Sequence, residues 1–234
     1  MKKPSGFSHY LVLVRKDVLL ELHTFDLVTS MGLYAVLAVV VYGAACAQAG
    51  SQLDILRMAG GLLWAALLFT SLLGLSRSFA REGEGGCLEG LLLVPMDRSV
   101  IFLAKATANL VFLLVVEAVT VPLFAFFLLS DAGVAPSWPY IVPVLVLGAV
   151  GIAGVGTMLS TITANTRGKD VMLAVLFIPL MFPLLWACVS ATGAALCGAV
   201  DFAAAYFMPL ALAGGYDVIM LAVCWLLYDF VVAA

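Results

Sequence analysis

The chain has 234 residues, 65% of them hydrophobic and 11% charged, with a mean hydropathy of +1.17. A soluble domain carries about 25% charged residues, so the charges here are too few to cover a water-facing surface. Eleven basic residues against 14 acidic ones leave a net charge of −3 and no basic field for nucleic acid.

Phe7, Tyr10, Leu11, Val14, Val18, Leu22 and Phe25 recur at three- and four-residue steps. His9, Arg15, Lys16 and Glu21 fall largely on the other side. This pattern predicts an amphipathic helix lying in the headgroup layer with its basic residues toward anionic lipid. The plainer alternative is a lead-in with no mechanical role. The segment does not read as a signal peptide, because the apolar run Tyr10–Val14 meets Arg15, Lys16 and Asp17 at once. His9 and His23 have no acid or cysteine cluster beside them and read as interfacial polar residues rather than metal or haem ligands.

Long stretches with few charges follow. Leu27–Leu53, Met58–Ser76, Ala132–Thr166 and Val171–Val200 contain no charge. Ala106–Ser130 is interrupted only by Glu117, and Phe202–Tyr228 only by Asp217. Stretches of about 18 or more apolar residues read as membrane-spanning helices. Six are predicted, near Leu27–Gln48, Met58–Ser76, Thr107–Leu129, Tyr140–Ala164, Val171–Val189 and Phe207–Tyr228. No short alternating strands of the barrel type occur. The expected fold is an all-α membrane protein, with residues 1–26 forming the interfacial helix and 27–234 the six-helix transmembrane domain. Ser190–Tyr206 is left as an external loop or a short re-entrant element.

Ten of the 11 basic residues lie before the first span, between the second and third, or between the fourth and fifth. By the positive-inside rule these segments are cytoplasmic, and six spans put both termini there too.

Three features within this frame invite a functional reading. The loop Arg77–Arg98 is the most charged part of the chain, with Arg77, Arg81, Glu82, Glu84, Glu89, Asp97 and Arg98. Gly83, Gly85 and Gly86 are expected to break the helix leaving the second span. A short helix over Cys87–Val94 then carries an apolar stripe of Leu88, Leu91 and Leu92, and Pro95 ends it. A displayed apolar helix needs a partner surface, either the lipid headgroups or another protein. Glu117 is predicted near the bilayer centre, where a carboxylate is costly and faces the bundle or a cavity. It reads as a substrate contact, a proton-sensitive gate, or a protonated acid hydrogen-bonded to a neighbouring helix. Asp217 follows Gly214-Gly215 and is expected nearer the external interface.

Gly148, Gly151, Gly154, Gly156 and Ser160 form a small-residue face on the fourth span, suited to close helix packing. Pro122, Pro179 and Pro183 are expected to kink their helices. The five cysteines, Cys46, Cys87, Cys188, Cys197 and Cys224, lack C-x-x-C spacing and read as small buried apolar residues. An external disulfide between Cys188 and Cys197 is the alternative. The chain has no Walker A sequence: Gly168-Lys169 is followed by Asp170, and Thr163 stands where the first glycine belongs. It has no H-E-x-x-H, no G-x-S-x-G and no obvious inverted repeat. No catalytic, metal-binding or cofactor-binding residue is assigned. The intramembrane acids leave open a stand-alone secondary transporter, and the displayed helix leaves open a non-transporting scaffold.

The arrangement resembles ABC export permeases, and the central region resembles one family among them, the cytochrome c maturation permease or haem exporter protein B. The resemblance rests on Gly61–Phe69, Gly74–Glu82, Leu88–Pro95 and Asp97–Ala106, and is most specific over Ala59–Pro122. Glu117 stands where the family tends to carry an acid, and Thr166-Arg167 and the proline-bearing fifth span are consistent with it. Gly85-Gly86-Cys87 departs in detail from the family pattern and puts no special role on Cys87. The resemblance implies a non-catalytic inner-membrane subunit, working as one of two permease copies or in a permease heterodimer. ATP is implied on a separate ABC ATPase chain. Haem is implied on a neighbouring membrane subunit that delivers it to a haem chaperone. The Leu88–Pro95 helix would transmit the ATPase motion, with Arg77, Arg81, Glu82 and Glu89 as polar contacts.

Overall fold

The computed structural model describes residues 6–48, 52–84, 98–129, 137–163, 166, 168–197 and 201–233. These residues form seven long helices: α1 (Gly6–Thr24), α2 (Asp26–Ala47), α3 (Gln52–Glu84), α4 (Arg98–Phe124), α5 (Trp138–Thr163), α6 (Lys169–Cys197) and α7 (Phe202–Ala233). A π-helical stretch, Ala125–Leu129, continues α4 three residues after Pro122. Helices α2 to α7 supply six stretches long and apolar enough to cross a membrane, so the chain is an all-α, multi-pass membrane protein.

The six spans fall where the charge-free stretches put them, but the helices run longer. α3 continues past Arg77 to Glu84, with Gly83 inside the helix. Most of the predicted loop or re-entrant element at Ser190–Tyr206 is helical, because α6 extends to Cys197 and α7 starts at Phe202. That tail is rich in alanine, which favours helix. The predicted short helix Cys87–Val94 lies outside the described residues.

α1 packs along α4, where Tyr10 donates a hydrogen bond to Thr107 Oγ1 (2.9 Å). Part of its apolar stripe, including Tyr10, Val14 and Val18, meets the bundle, while Phe7, Leu11 and Leu22 remain exposed. Glu21 departs from the expected polar face. It is only 3% exposed, and its Oε1 accepts the backbone N–H groups of Leu27 (2.6 Å) and Val28 (3.0 Å). The first N–H groups of a helix have no partner within it, so Glu21 caps α2 from the preceding helix. Between the helices Phe25 takes a left-handed backbone conformation (φ 52°, ψ 15°). That conformation costs a non-glycine residue about 1–2 kcal/mol. The two bonds to the carboxylate offset it.

α5 is the centre of the bundle and packs against α3, α4, α6 and α7. The expected small-residue face does this packing. A Cβ at Gly148 would overlap the Trp64 ring of α3, and one at Gly156 would overlap Leu75. Gly151 and Gly154 receive Asp217 and Leu221 of α7 in the same way. At one end of the bundle lie α1, the α3 and α4 ends that bound residues 85–97, and the short α5–α6 turn with Gly168 at φ 78°. There Ser76 of α3 donates a hydrogen bond to Asp170 Oδ1 of α6, and Arg98 of α4 donates to the Asp229 carbonyl of α7 (3.2 Å). At the other end Tyr206 donates to the Tyr140 carbonyl (2.7 Å) within a group of rings that includes Phe202.

Replacing Glu21 with Ala removes the acceptor shared by Leu27 and Val28. Loss of a capping side chain costs about 0.5–2 kcal/mol. Amide exchange at Leu27 and Val28 should therefore rise roughly tenfold, measured by hydrogen–deuterium exchange in detergent or nanodiscs, with exchange in the middle of α5 unchanged.

Candidate functional site

Two regions were singled out by sequence: the charged loop and the intramembrane acids. Of the loop residues, Arg77 is exposed on α3, and Arg81 and Glu82 lie on the last turns of the same helix. Leu88, Glu89, Leu91, Leu92 and Pro95 lie outside the described residues. What is described is how the loop is held: a continuous 33-residue helix enters it and a 27-residue helix leaves it.

The acids lie at one level of the bundle. Asn109 of α4 donates a hydrogen bond to Thr157 Oγ1 of α5 (2.9 Å), which sets the level of these antiparallel helices. Two turns further along α4, Glu117 stands level with Gly148–Gly151, about two turns back along α5. Asp217 reaches that level from α7, against Gly151 and Leu184. Cys188 of α6, fully buried, lies within electrostatic range of both carboxylates. Trp64 of α3 completes the level, with its indole against Gly148 and its Nε1 donating to Thr192 Oγ1 (2.9 Å). Five helices thus contribute to one buried stratum of the bundle.

Glu117 is 5% exposed and Asp217 is 3% exposed. Glu117 Oε2 and both Asp217 carboxylate oxygens are buried without a hydrogen-bond partner. Ser160 Oγ, about two and a half turns further along α5, is also unpartnered. Glu117 therefore faces the bundle, as expected of an intramembrane acid, but it makes no carboxyl hydrogen bond through Oε2 to a neighbouring helix. Asp217 is not at an interface. Because α7 starts at Phe202 and runs unbroken through Gly214-Gly215, the residue lies four turns inside the helix.

The remaining candidates stay separate. Cys188 and Cys197 are both free and lie nine residues apart on α6, about 13 Å along its axis. A disulfide between them is ruled out by that span. His23 is exposed and its Nδ1 bonds the Leu19 carbonyl (2.9 Å). Among the described residues no group of three or more His, Cys, Asp or Glu could hold a metal ion.

Sequence reading missed Cys188 as a neighbour of the acids, the Glu21 cap, and the polar pairs Asn109–Thr157 and Trp64–Thr192. Two of these had a signal. Glu21 is an acid just ahead of a helix start, and Asn109 is a lone amide in an apolar span two turns before Glu117.

Against known proteins, a family model described as "CcmB protein" matches residues 8–233. Heme exporter protein B of Paracoccus denitrificans is 32% identical over 129 residues, which is 55% of this chain and 58% of that protein. The Heme exporter protein B of Rhodobacter capsulatus is 31% identical over 137 residues, 58% of this chain and 62% of the relative. That of Escherichia coli K12 is 31% identical over 134 residues, 55% and 57% of the two chains. The chain thus spans 57 to 62% of the length of these relatives.

The contact between Gly148 and Trp64 can be tested directly. A Gly148→Ala methyl group must displace the buried indole and break its bond to Thr192. Overpacking of this kind costs about 1–3 kcal/mol. The variant should lower the melting temperature in detergent and red-shift the tryptophan emission. Trp64→Phe in the same background should recover part of the lost stability, because the smaller ring leaves room for the methyl group.

Proposed function

The chain belongs to the CcmB protein family, and on that premise we propose that it is the membrane permease subunit of an ABC-type exporter serving cytochrome c maturation. The membership over residues 8–233 carries the proposal. The names of its relatives point to haem as the cargo of the complex. The subunit itself is non-catalytic: ATP is bound and hydrolysed by a separate ATPase chain, in keeping with the missing Walker A sequence. In this reading haem is held by a neighbouring membrane subunit and passed to a haem chaperone, and ATP hydrolysis drives release of the loaded chaperone.

The coupling element is the segment between α3 and α4, with Leu88, Leu91 and Leu92 as the apolar contact, Pro95 as its end, and Arg77, Arg81, Glu82 and Glu89 around it. Support comes from the flanks. α3 is tied to α6 through Ser76 and Asp170, and α4 is tied to α7 through Arg98 and the Asp229 carbonyl. Force applied to the segment would therefore reach both sides of α5 along stiff helices. The proposed topology puts this segment, α1 and both termini in the cytoplasm of a cell with an inner membrane, following the basic residues.

The reading predicts co-purification of the chain with an ABC ATPase. Leu91→Asp or Leu92→Asp should abolish it, while Leu91→Met should retain it, because an apolar contact tolerates a similar volume but not a buried unpaired charge. ATPase retained at wild-type stoichiometry by both Asp variants would remove the coupling role. Pull-down stoichiometry and covalent haem in secreted c-type cytochromes are the measurements.

A further inference from the structure

We propose that Glu117 and Asp217, buried on different helices at one level of the bundle, form a proton-binding site, each carboxyl holding a proton while the bundle is closed. The proposal is independent of ATPase coupling and holds for the chain in any assembly.

The geometry carries it in three steps. First, the acids come from different helices, α4 and α7, yet reach one stratum, both more than nine-tenths buried and with three carboxylate oxygens lacking any hydrogen-bond donor. A charge left without a partner in a low-dielectric interior is costly. Something must compensate it.

Second, the surrounding groups do not. From α6 the titratable neighbour is Cys188, and from α7 the nearest are Tyr216 and, two turns on, Cys224. Tyr216 donates its hydroxyl to the Leu180 carbonyl (2.7 Å). α3 presents the indole of Trp64, and α5 presents Gly148 and Gly151, none of which titrates. On α2 the titratable side chains include Tyr34 and Tyr42, about two turns apart along the helix. Lys105 is on α4, more than three turns from Glu117. Among the described residues no cation is paired with either acid, and the acids and thiols do not make a metal-binding group.

Third, the site is too tight for a larger ligand. Asp217 is wedged against Gly151 so closely that a single methyl group there would overlap its carboxylate. A proton fits. Each carboxylate takes one proton from water to become a neutral carboxyl and returns it to water on release, with no other reactant. Release requires access to water, which the closed stratum does not offer: both acids are buried.

The test uses dicyclohexylcarbodiimide, which reacts with a protonated carboxyl in apolar surroundings, on the full chain in its native membrane. Peptide mass spectrometry should find the adduct on Glu117 or Asp217 in preference to acids at the chain surface, with labelling that falls as pH rises. Glu117→Gln and Asp217→Asn should each lose the adduct at their own position. Gly151→Ala, which displaces Asp217 but keeps both acids, should shift the pH profile of labelling. Because the wild-type chain gives the primary result, a variant that fails to fold leaves the test intact. The proposal is overturned if neither acid is labelled while surface acids are, or if labelling does not change with pH. It is also overturned if labelling appears only after partner chains are stripped away, since a partner's cation would then be the compensating group.

Discussion

Lipid tails are as apolar as leucine, so burying leucine against leucine gives little reason for one span to prefer another over lipid. What remains is close approach and polar pairing, and in this bundle both depend on one helix. α5 is lined with glycines where it meets α3 and α7, and the side chains that fill those notches are specific: Trp64, Leu75, Asp217 and Leu221. Around it the polar pairs Asn109–Thr157 and Trp64–Thr192 fix level and rotation. A bundle organised this way has a defined register, because each notch accepts one neighbour at one depth.

Much of that was legible in the sequence, for a simple reason. Hydrocarbon tolerates few charges, so charge-free stretches mark the spans, and the small-residue face of α5 stands out inside one of them. Helix ends were read less well. Gly83 and the tail after Val189 looked like breaks, yet α3 runs to Glu84 and α6 to Cys197. Isolated glycines were outweighed there, by the alanines of the tail and because a helix satisfies its own backbone where a loop at the membrane does not. The misplacement of Asp217 has the same origin. Its depth depends on where α7 begins, and Gly214-Gly215 suggested a boundary that the helix passes through.

Partnerships between spans were the least legible part. The sequence marks Glu117 and Asp217 as unusual residues, one per span, but not that they share one level of the bundle with Cys188. That convergence depends on which helices neighbour α5 and on the relative level of α4 and α7, and neither follows from hydropathy. The cap by Glu21 was hidden for a different reason. At helical spacing it falls among the polar residues of α1, and only the sharp turn at Phe25 redirects its carboxylate onto the next helix.

The bond between Tyr10 and Thr107 joins residues 97 apart in the chain. A ribosome delivers them in order, so α1 and the first two spans are made before the helix that α1 rests on exists. Until α4 arrives, the exposed apolar side chains of α1 have only lipid to meet, and its tyrosine has only water or headgroups. The elbow capped by Glu21 needs no later sequence and can set as soon as α2 is inserted. Assembly therefore has a built-in order: the first helix acquires its direction early and its seat late.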